Sequence, residues 1–146
     1  MSNETYIPAL RYNWLTAFYD WLIRLTLPEK EFKNELADQA CPQYGHRVLD
    51  FGMGTGTLSI LIKKRYPFVT MLGIDVDPKV LKIAKHKIAK SKVDVDFYTY
   101  GGKKIPLNDC SIDKVVSSLV FHHLLTHQKT DSLKEIYRVL KENGTL

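Results

Sequence analysis

The amino-acid sequence predicts an α/β fold, a doubly wound and mainly parallel sheet preceded by helices. Three observations carry this. Short apolar runs at about 46–50, 69–75, 93–98 and 112–119 alternate with segments whose apolar residues recur every three or four positions. Strands alternating with helices make parallel sheets. A glycine-rich turn, Gly52-Met53-Gly54-Thr55-Gly56, joins the first apolar run to the first of those helices, and acids, Asp50 and Asp75, stand at the ends of the first two runs.

The elements follow in order. Apolar and aromatic residues dominate 6–27, and from Asn13 to Thr26 they leave little polar surface, which predicts a helix buried on most sides or covering a site. Pro28 stops it. A second helix over 29–40 places Phe32, Leu36 and Ala40 on one face. Pro42 and Gly45 turn the chain into the first strand. The helix at 55–65 turns Leu58, Leu61 and Ile62 inward and closes on Lys63-Lys64-Arg65, where cations suit the C-terminal dipole. After the strand ending at Asp75, Asp77 caps the next helix and Pro78 takes its first position. Val80, Leu81, Ala84 and Ile88 form the buried stripe of that helix. Strands at 93–98 and 112–119 follow, and then a helix over 126–141 with Leu133, Ile136, Tyr137 and Leu140 on one face. Asn143-Gly144 reads as its C-terminal cap.

Length and composition bound the rest. A chain of 146 residues, 45% of them hydrophobic, suits one domain with an ordinary core. Residues 1–44 read as a helical cap or lid segment and 45–146 as the core. No apolar run approaches the ~20 residues that span a bilayer, and the N-terminus does not read as a signal peptide. Two cysteines, Cys41 and Cys110, lack paired or zinc spacing, which predicts a reduced, cytoplasmic setting and no metal site. The net charge is +5. Lys79, Lys82, Lys85, Lys87 and Lys90 decorate one helix and read as a solvated face, so no nucleic-acid partner is expected.

The chemistry concentrates at Val48-Leu49-Asp50-Phe51-Gly52-Met53-Gly54-Thr55-Gly56. Glycines at a strand-to-helix turn let backbone approach a ligand closely, and the helix N-terminus offers unpaired N–H groups. The dinucleotide pattern G-x-G-x-x-G is not met, because the third glycine comes one residue early and Thr57 stands in its place. An acid at Asp50 also suits a cationic ammonium or sulfonium better than a pyrophosphate. Asp75, nineteen residues beyond Gly56, stands where an acid can hydrogen-bond a ribose.

This segment resembles motif I, D/E-x-G-x-G-x-G, of the class I S-adenosylmethionine (SAM)-dependent methyltransferases, which have a Rossmann-like fold. Gly73-Ile74-Asp75-Val76-Asp77-Pro78 is similar to their motif II. Ile105 to Asp113 resembles part of the F-x-x-G-D-A-x-x-L-P-F-x-D-x-S-F-D stretch of the ubiquinone/menaquinone C-methyltransferases, and Ser117 to Leu124 resembles S-x-x-x-F-H-H-L of many small-molecule methyltransferases. The resemblance implies SAM as cofactor, lying across Gly52, Met53, Gly54 and Gly56, with Asp50 near its methionine end, Asp75 on its ribose and Val76 against adenine. It implies methyl transfer to a small molecule, with His122 and His123 as candidate base or orienting groups and aromatic N-terminal residues such as Tyr12, Trp14 and Tyr19 as a lid. The family's Gly-Asp-Ala falls on Tyr100, Gly101 and Gly102, so the acid that receives the adenine amino group is replaced by Gly101.

Some subclasses are opposed by the residues. No N/D-P-P-Y/F stretch or Pro-Cys nucleophile follows the fourth strand, and 114–125 holds no acid of the arginine-methylating kind. A nicotinamide-dependent oxidoreductase is opposed by Asp50 and the glycine spacing, whereas a non-catalytic SAM-binding or regulatory module remains the alternative. The family sheet usually has seven strands, and Gly144-Thr145-Leu146 reads as the start of the fifth. The expectation is therefore an incomplete sheet whose fourth strand is an exposed edge open to self-association.

Overall fold

A computed structural model describes residues 29–146. The aromatic N-terminal helix and the lid residues expected at Tyr12, Trp14 and Tyr19 lie outside the described residues. A compact unit runs from Lys33 to Leu146. Its elements are α1 (Glu29–Ala40), β1 (Arg47–Phe51), α2 (Thr57–Arg65), β2 (Thr70–Asp75), α3 (Pro78–Ser91), β3 (Asp96–Thr99), β4 (Ile112–Val116), a 3₁₀ turn (Phe121–His123), α4 (Thr126–Val139) and β5 (Leu140–Thr145). The five strands are all parallel, in the order β3-β2-β1-β4-β5.

Two apolar layers form because side chains alternate along β1. Val48 packs with Met71, Ala37, Leu58, Ile62, Leu81, Ala84 and Ile88 on the face covered by helices α1 to α3. Leu49 and Phe51 pack with Leu72, Ile74, Ile105, Ile136 and Val139 on the α4 face. Strand order reverses between β1 and β4, since the chain winds outward to β3 and then returns to the other side of β1. That reversal opens a crevice beyond the carboxyl ends of the strands, the usual ligand position in open α/β sheets.

No helix joins β3 to β4. The segment 100–111 instead lies against α4, and Arg138 holds it there. The guanidinium donates to both Glu135 carboxylate oxygens (2.9 and 2.8 Å), to the carbonyls of Ile105 (2.9 Å) and Leu107 (3.0 Å), and to Asp109. Glu135 in turn accepts from the Ile105 backbone N–H at 2.8 Å. These bonds keep the Glu135 carboxyl below its ordinary pKa, the Arg138 hydrogen bond being the largest cause. The family-like run at 105–113 is thus stapled by a planar fork, a job that a lysine cannot do.

Several expectations are corrected. Ala37 is fully buried in α1, while Phe32 is exposed. In α4 the buried stripe is Ser132, Ile136 and Val139, and Leu133 and Tyr137 face outward. That helix ends at Val139 rather than at residue 141, so Asn143-Gly144 is not its cap but part of β5. Gly144 is needed there for space, since a Cβ would stand 2.8 Å from the Leu140 side chain and 2.9 Å from the Lys141 carbonyl. The β4 strand stops at Val116, three residues early, because Ser117 turns its hydroxyl to the Phe51 carbonyl (3.0 Å) and Leu119 takes a left-handed φ of 58°. β5 pairs with β4 through Ile112↔Leu140 and Lys114↔Thr145, with a register shift between them. The fourth strand is therefore not an edge.

Arg138→Met should lower stability by about 2 kcal/mol, because it leaves Glu135 and two carbonyls without their donor. The shift of the urea midpoint measures it, and an unchanged midpoint would show that loop 100–111 holds without the staple.

Candidate cofactor-binding site

The crevice is built around the end of β2. The Ile74 carbonyl accepts from both Gly52 N–H (2.8 Å) and Met53 N–H (2.9 Å). Asp75 accepts from Gly54 N–H through Oδ2 (2.8 Å) and from Asp77 N–H through Oδ1 (3.0 Å), and its own carbonyl accepts from Tyr100 N–H at 2.8 Å. Gly52, Gly54 and Gly56 all take left-handed φ, at 73°, 54° and 75°, which favours residues without a Cβ. Gly52 is also required for contact, because a Cβ there would lie 2.2 Å from the Val120 side chain. Gly54 faces open space, with nothing within 4 Å of where a Cβ would be.

Met53, by contrast, is buried. Its thioether packs against Gly73, where a Cβ would come within 2.3 Å of the sulfur. Its backbone N–H donates to the Ile74 carbonyl and its carbonyl accepts from Gly56 N–H at 2.9 Å. Val76, next to Asp75 in sequence, is 41% exposed.

Asp50 differs from the sequence-based expectation. It shares the face of Val48 and lies under the start of α2, 1% exposed, and so does not open into the crevice. Its Oδ2 accepts from the Ser59 hydroxyl at 2.6 Å. Gly56 caps α2 without a side chain, and Asp50 supplies the missing anionic partner from below. Burial raises its pKa to about 6; the Ser59 hydrogen bond and the charge of Lys33 oppose the rise, and Asp75 adds to it. A buried carboxylate held at that value would be stabilised by a cation brought near it.

Two polar residues of the site are not legible as such. Lys87 reads in sequence as part of a solvated face. The structure instead turns it inward, where its ammonium donates to Thr55 Oγ1 (3.1 Å) and Thr57 Oγ1 (2.6 Å) and ties α3 to the glycine loop. Ser59 is hidden for another reason, since it is one polar residue within the otherwise apolar run from Leu58 to Ile62. Its only signal was that an acid and a hydroxyl nine residues apart flank the same turn.

On the β4 side, Phe121 stacks on Phe51 (5.7 Å), and Phe51 meets Tyr100 edge-on (5.6 Å). Tyr100 is turned into the core, so the position of the family's glycine serves packing here. His122 and His123 follow, both exposed, with ring centroids 3.8 Å apart. Partial burial and the neighbouring His122 lower the pKa of His123. Gly101 and Gly102 border open space, with no atom within 4 Å of either Cβ position.

A methyltransferase-domain family matches residues 48–144 of this chain. The chain belongs to the class I SAM-dependent methyltransferases. It is 31% identical over 130 residues to the demethylmenaquinone methyltransferase of Thermus thermophilus, a match covering 88% of this chain and 58% of that one. A SAM-dependent methyltransferase from Aquifex aeolicus has the same fold, with a TM-score of 0.70 at 24% identity over 84% of this chain and 66% of that one. The fold is also that of phosphoethanolamine N-methyltransferase 2 from Haemonchus contortus, solved in complex with SAM (TM-score 0.67, 24% identity, 78% of this chain and 26% of that one). This methyltransferase chain spans about half to two-thirds of the length of the first curated relatives it matches.

The donor set fits SAM. The open backbone at Gly54, a part-exposed Asp75 with lone pairs to spare and a buried Asp50 beneath the loop match a ligand with ribose hydroxyls and a cationic amino-acid end.

Two outcomes follow from this geometry. For Asp50, a folded pKa above the ordinary 3.8 means the folded state holds the proton more tightly. Its contribution to stability is then full below pH ~4 and lost as pH rises through about 6, on the order of 3 kcal/mol in all. Asp50→Asn should therefore be more stable than the parent at pH 7, with the gap closing towards pH 4 in urea titrations; parallel curves would place the titration elsewhere. Gly101→Asp has room for its side chain and restores an acceptor for the adenine amino group. Calorimetry should show S-adenosylhomocysteine (SAH) binding tighter by about tenfold or more, and equal affinities would mean that adenine lies away from Gly101.

Proposed function

We propose that this domain transfers the SAM methyl group to a small-molecule acceptor held between the glycine loop and the 117–125 segment. The observation that carries the reading is Asp75, whose carboxylate already orders the loop through Gly54 and still has lone pairs for ribose hydroxyls. SAM supplies an activated methyl, a carbon bonded to a positively charged sulfur. The protein's work is then positioning and exclusion of water. When bound, SAM would give its methyl carbon to the acceptor's lone pair and leave as a neutral thioether that retains the carbon–sulfur electron pair. The acceptor's proton passes to a base.

In this reading Asp50 faces the cationic end of the cofactor through the loop, Gly52, Met53, Gly54 and Gly56 line its path, and Val76 packs on adenine. His123 takes the acceptor's proton, and His122, its ring centroid 3.8 Å away, holds the His123 ring in place. Relatives named demethylmenaquinone methyltransferase act on a quinone-type ring. The apolar and aromatic residues Leu119, Phe121 and Leu124 beside the histidines support an acceptor of similar character, a small ring compound with an acidic hydroxyl.

Asp75→Ala should weaken SAH binding by roughly 100-fold while leaving the circular dichroism spectrum unchanged, since two or more charge-assisted bonds are lost. His123→Gln should leave SAH affinity alone and lower kcat by about 100-fold on an acceptor that is turned over. Binding of SAH with no methyl transfer to any phenolic or quinol acceptor would favour a non-catalytic SAM-binding module. Full affinity in the Asp75 variant would remove that residue from the site.

A further inference from the structure

The basic excess of this protein sits on one helix. α3 contains five lysines and no acid. The whole chain has 21 cations and 16 acids, so the remainder carries 16 of each and is neutral. Within α3 the charges are also ordered. Lys79, Lys82 and Lys90 stand three and eight residues apart, which aligns them along one face. Leu81, Ala84 and Ile88 point the opposite way into the core. Lys85 is exposed at the flank of that face, whereas Lys87 is drawn off to the glycine loop. Among the described residues, Lys79, Lys82, Lys85 and Lys90 have no ion-pair partner. The one nearby capping acid, Asp77, uses its carboxylate on the Lys79 backbone N–H. A row of like charges along a helix is a self-repelling arrangement, and among the described residues no acid pairs with these lysines.

We propose that the outer face of α3 is an electrostatic docking surface for an anionic phospholipid bilayer. Four features favour a bilayer over nucleic acid. The cations are lysines without arginine, point charges on flexible stems rather than the forks that grip single phosphates. Ile83, 52% exposed, stands among them and is the one large apolar side chain exposed on α3. An apolar residue in a lysine field can enter the headgroup layer while the lysine stems reach outward. No exposed aromatic on α3 is available to stack on bases. The face is also the convex crest of a helix of 14 residues, about 21 Å long, which suits a flat surface better than a groove. The helix starts at Pro78, next to Asp77 and Asp75. Docking along α3 therefore brings the ribose side of the cofactor crevice close to the membrane. The proposal rests on the charge placement and is independent of which acceptor is methylated.

The test is co-sedimentation of the full chain with vesicles of equal phosphatidylglycerol and phosphatidylcholine, against phosphatidylcholine alone. Binding should be seen only with the anionic vesicles and should fall steeply between about 50 mM and about 500 mM salt. Each lysine removed should weaken binding roughly fivefold, so the triple variant K79Q/K82Q/K90Q should lose on the order of 100-fold. SAH affinity and thermal midpoint serve as controls and should not change, since these side chains touch neither the loop nor the core. Ile83→Ser should lose part of the binding that survives high salt. Failure to bind anionic vesicles at low salt would overturn the proposal, as would equal binding by the triple variant. A preference for transfer RNA or duplex DNA over the vesicles, in direct competition, would assign the surface to nucleic acid instead.

Discussion

The carboxyl end of β2 is the post to which the site is tied. Five backbone donors from three segments converge on two residues there. Gly52 and Met53 bond the Ile74 carbonyl, Gly54 and Asp77 bond the Asp75 carboxylate, and Tyr100 bonds the Asp75 carbonyl. Parallel pairing of Asp50 with Gly73 and of Phe51 with Ile74 fixes the height at which the glycine loop leaves β1. The loop then has a donor at each step to hand to β2. In the proposed function that loop cradles the cofactor; its shape is set before any ligand arrives, and the ordering cost is met by folding.

A second constraint works from below. Asp50 is an acid on the face of the sheet that otherwise carries Val48, Met71 and Leu58. Burying it there is unfavourable, as its raised pKa shows. The partial compensation is local, through Ser59 and the start of α2. Lys87 performs the reverse service, bringing an ammonium from α3 to Thr55 and Thr57 at the mouth of the same helix. The cradle is thus held between an anion beneath and a cation beside it.

Much of the fold was legible in the sequence. The four apolar runs, the Asp77 cap with Pro78 behind it and the α3 stripe at Leu81, Ala84 and Ile88 are local signals, and the structure has each of them. The misreadings share a cause. On α4, Leu133 and Tyr137 have the same helical spacing as a buried stripe, and only packing reveals that Ser132, Ile136 and Val139 take the inner side. Asn143-Gly144 has the composition of a helix cap, yet the chain enters β5 at Leu140 because β4 offers an unpaired edge to receive it. Lys87 looked like its neighbours because periodicity separates faces, and residues at the border between two faces are decided by what stands next to them.

The sequence by itself determined the layer architecture, the glycine turn and the two acids at strand ends, because these follow from side-chain periodicity and from which residues tolerate a left-handed backbone. It also determined the family, since motif spacing records those same constraints. Only the tertiary structure decided what each acid does. Asp75 has a part-exposed side chain at the crevice and Asp50 is sealed beneath it, though both end a strand with similar flanking residues. The difference arises from helix α2, which begins over Asp50 and brings Ser59 down onto it, while the turn after β2 leaves Asp75 at the surface. Burial depends on what the rest of the chain places overhead, and no local pattern carries that information.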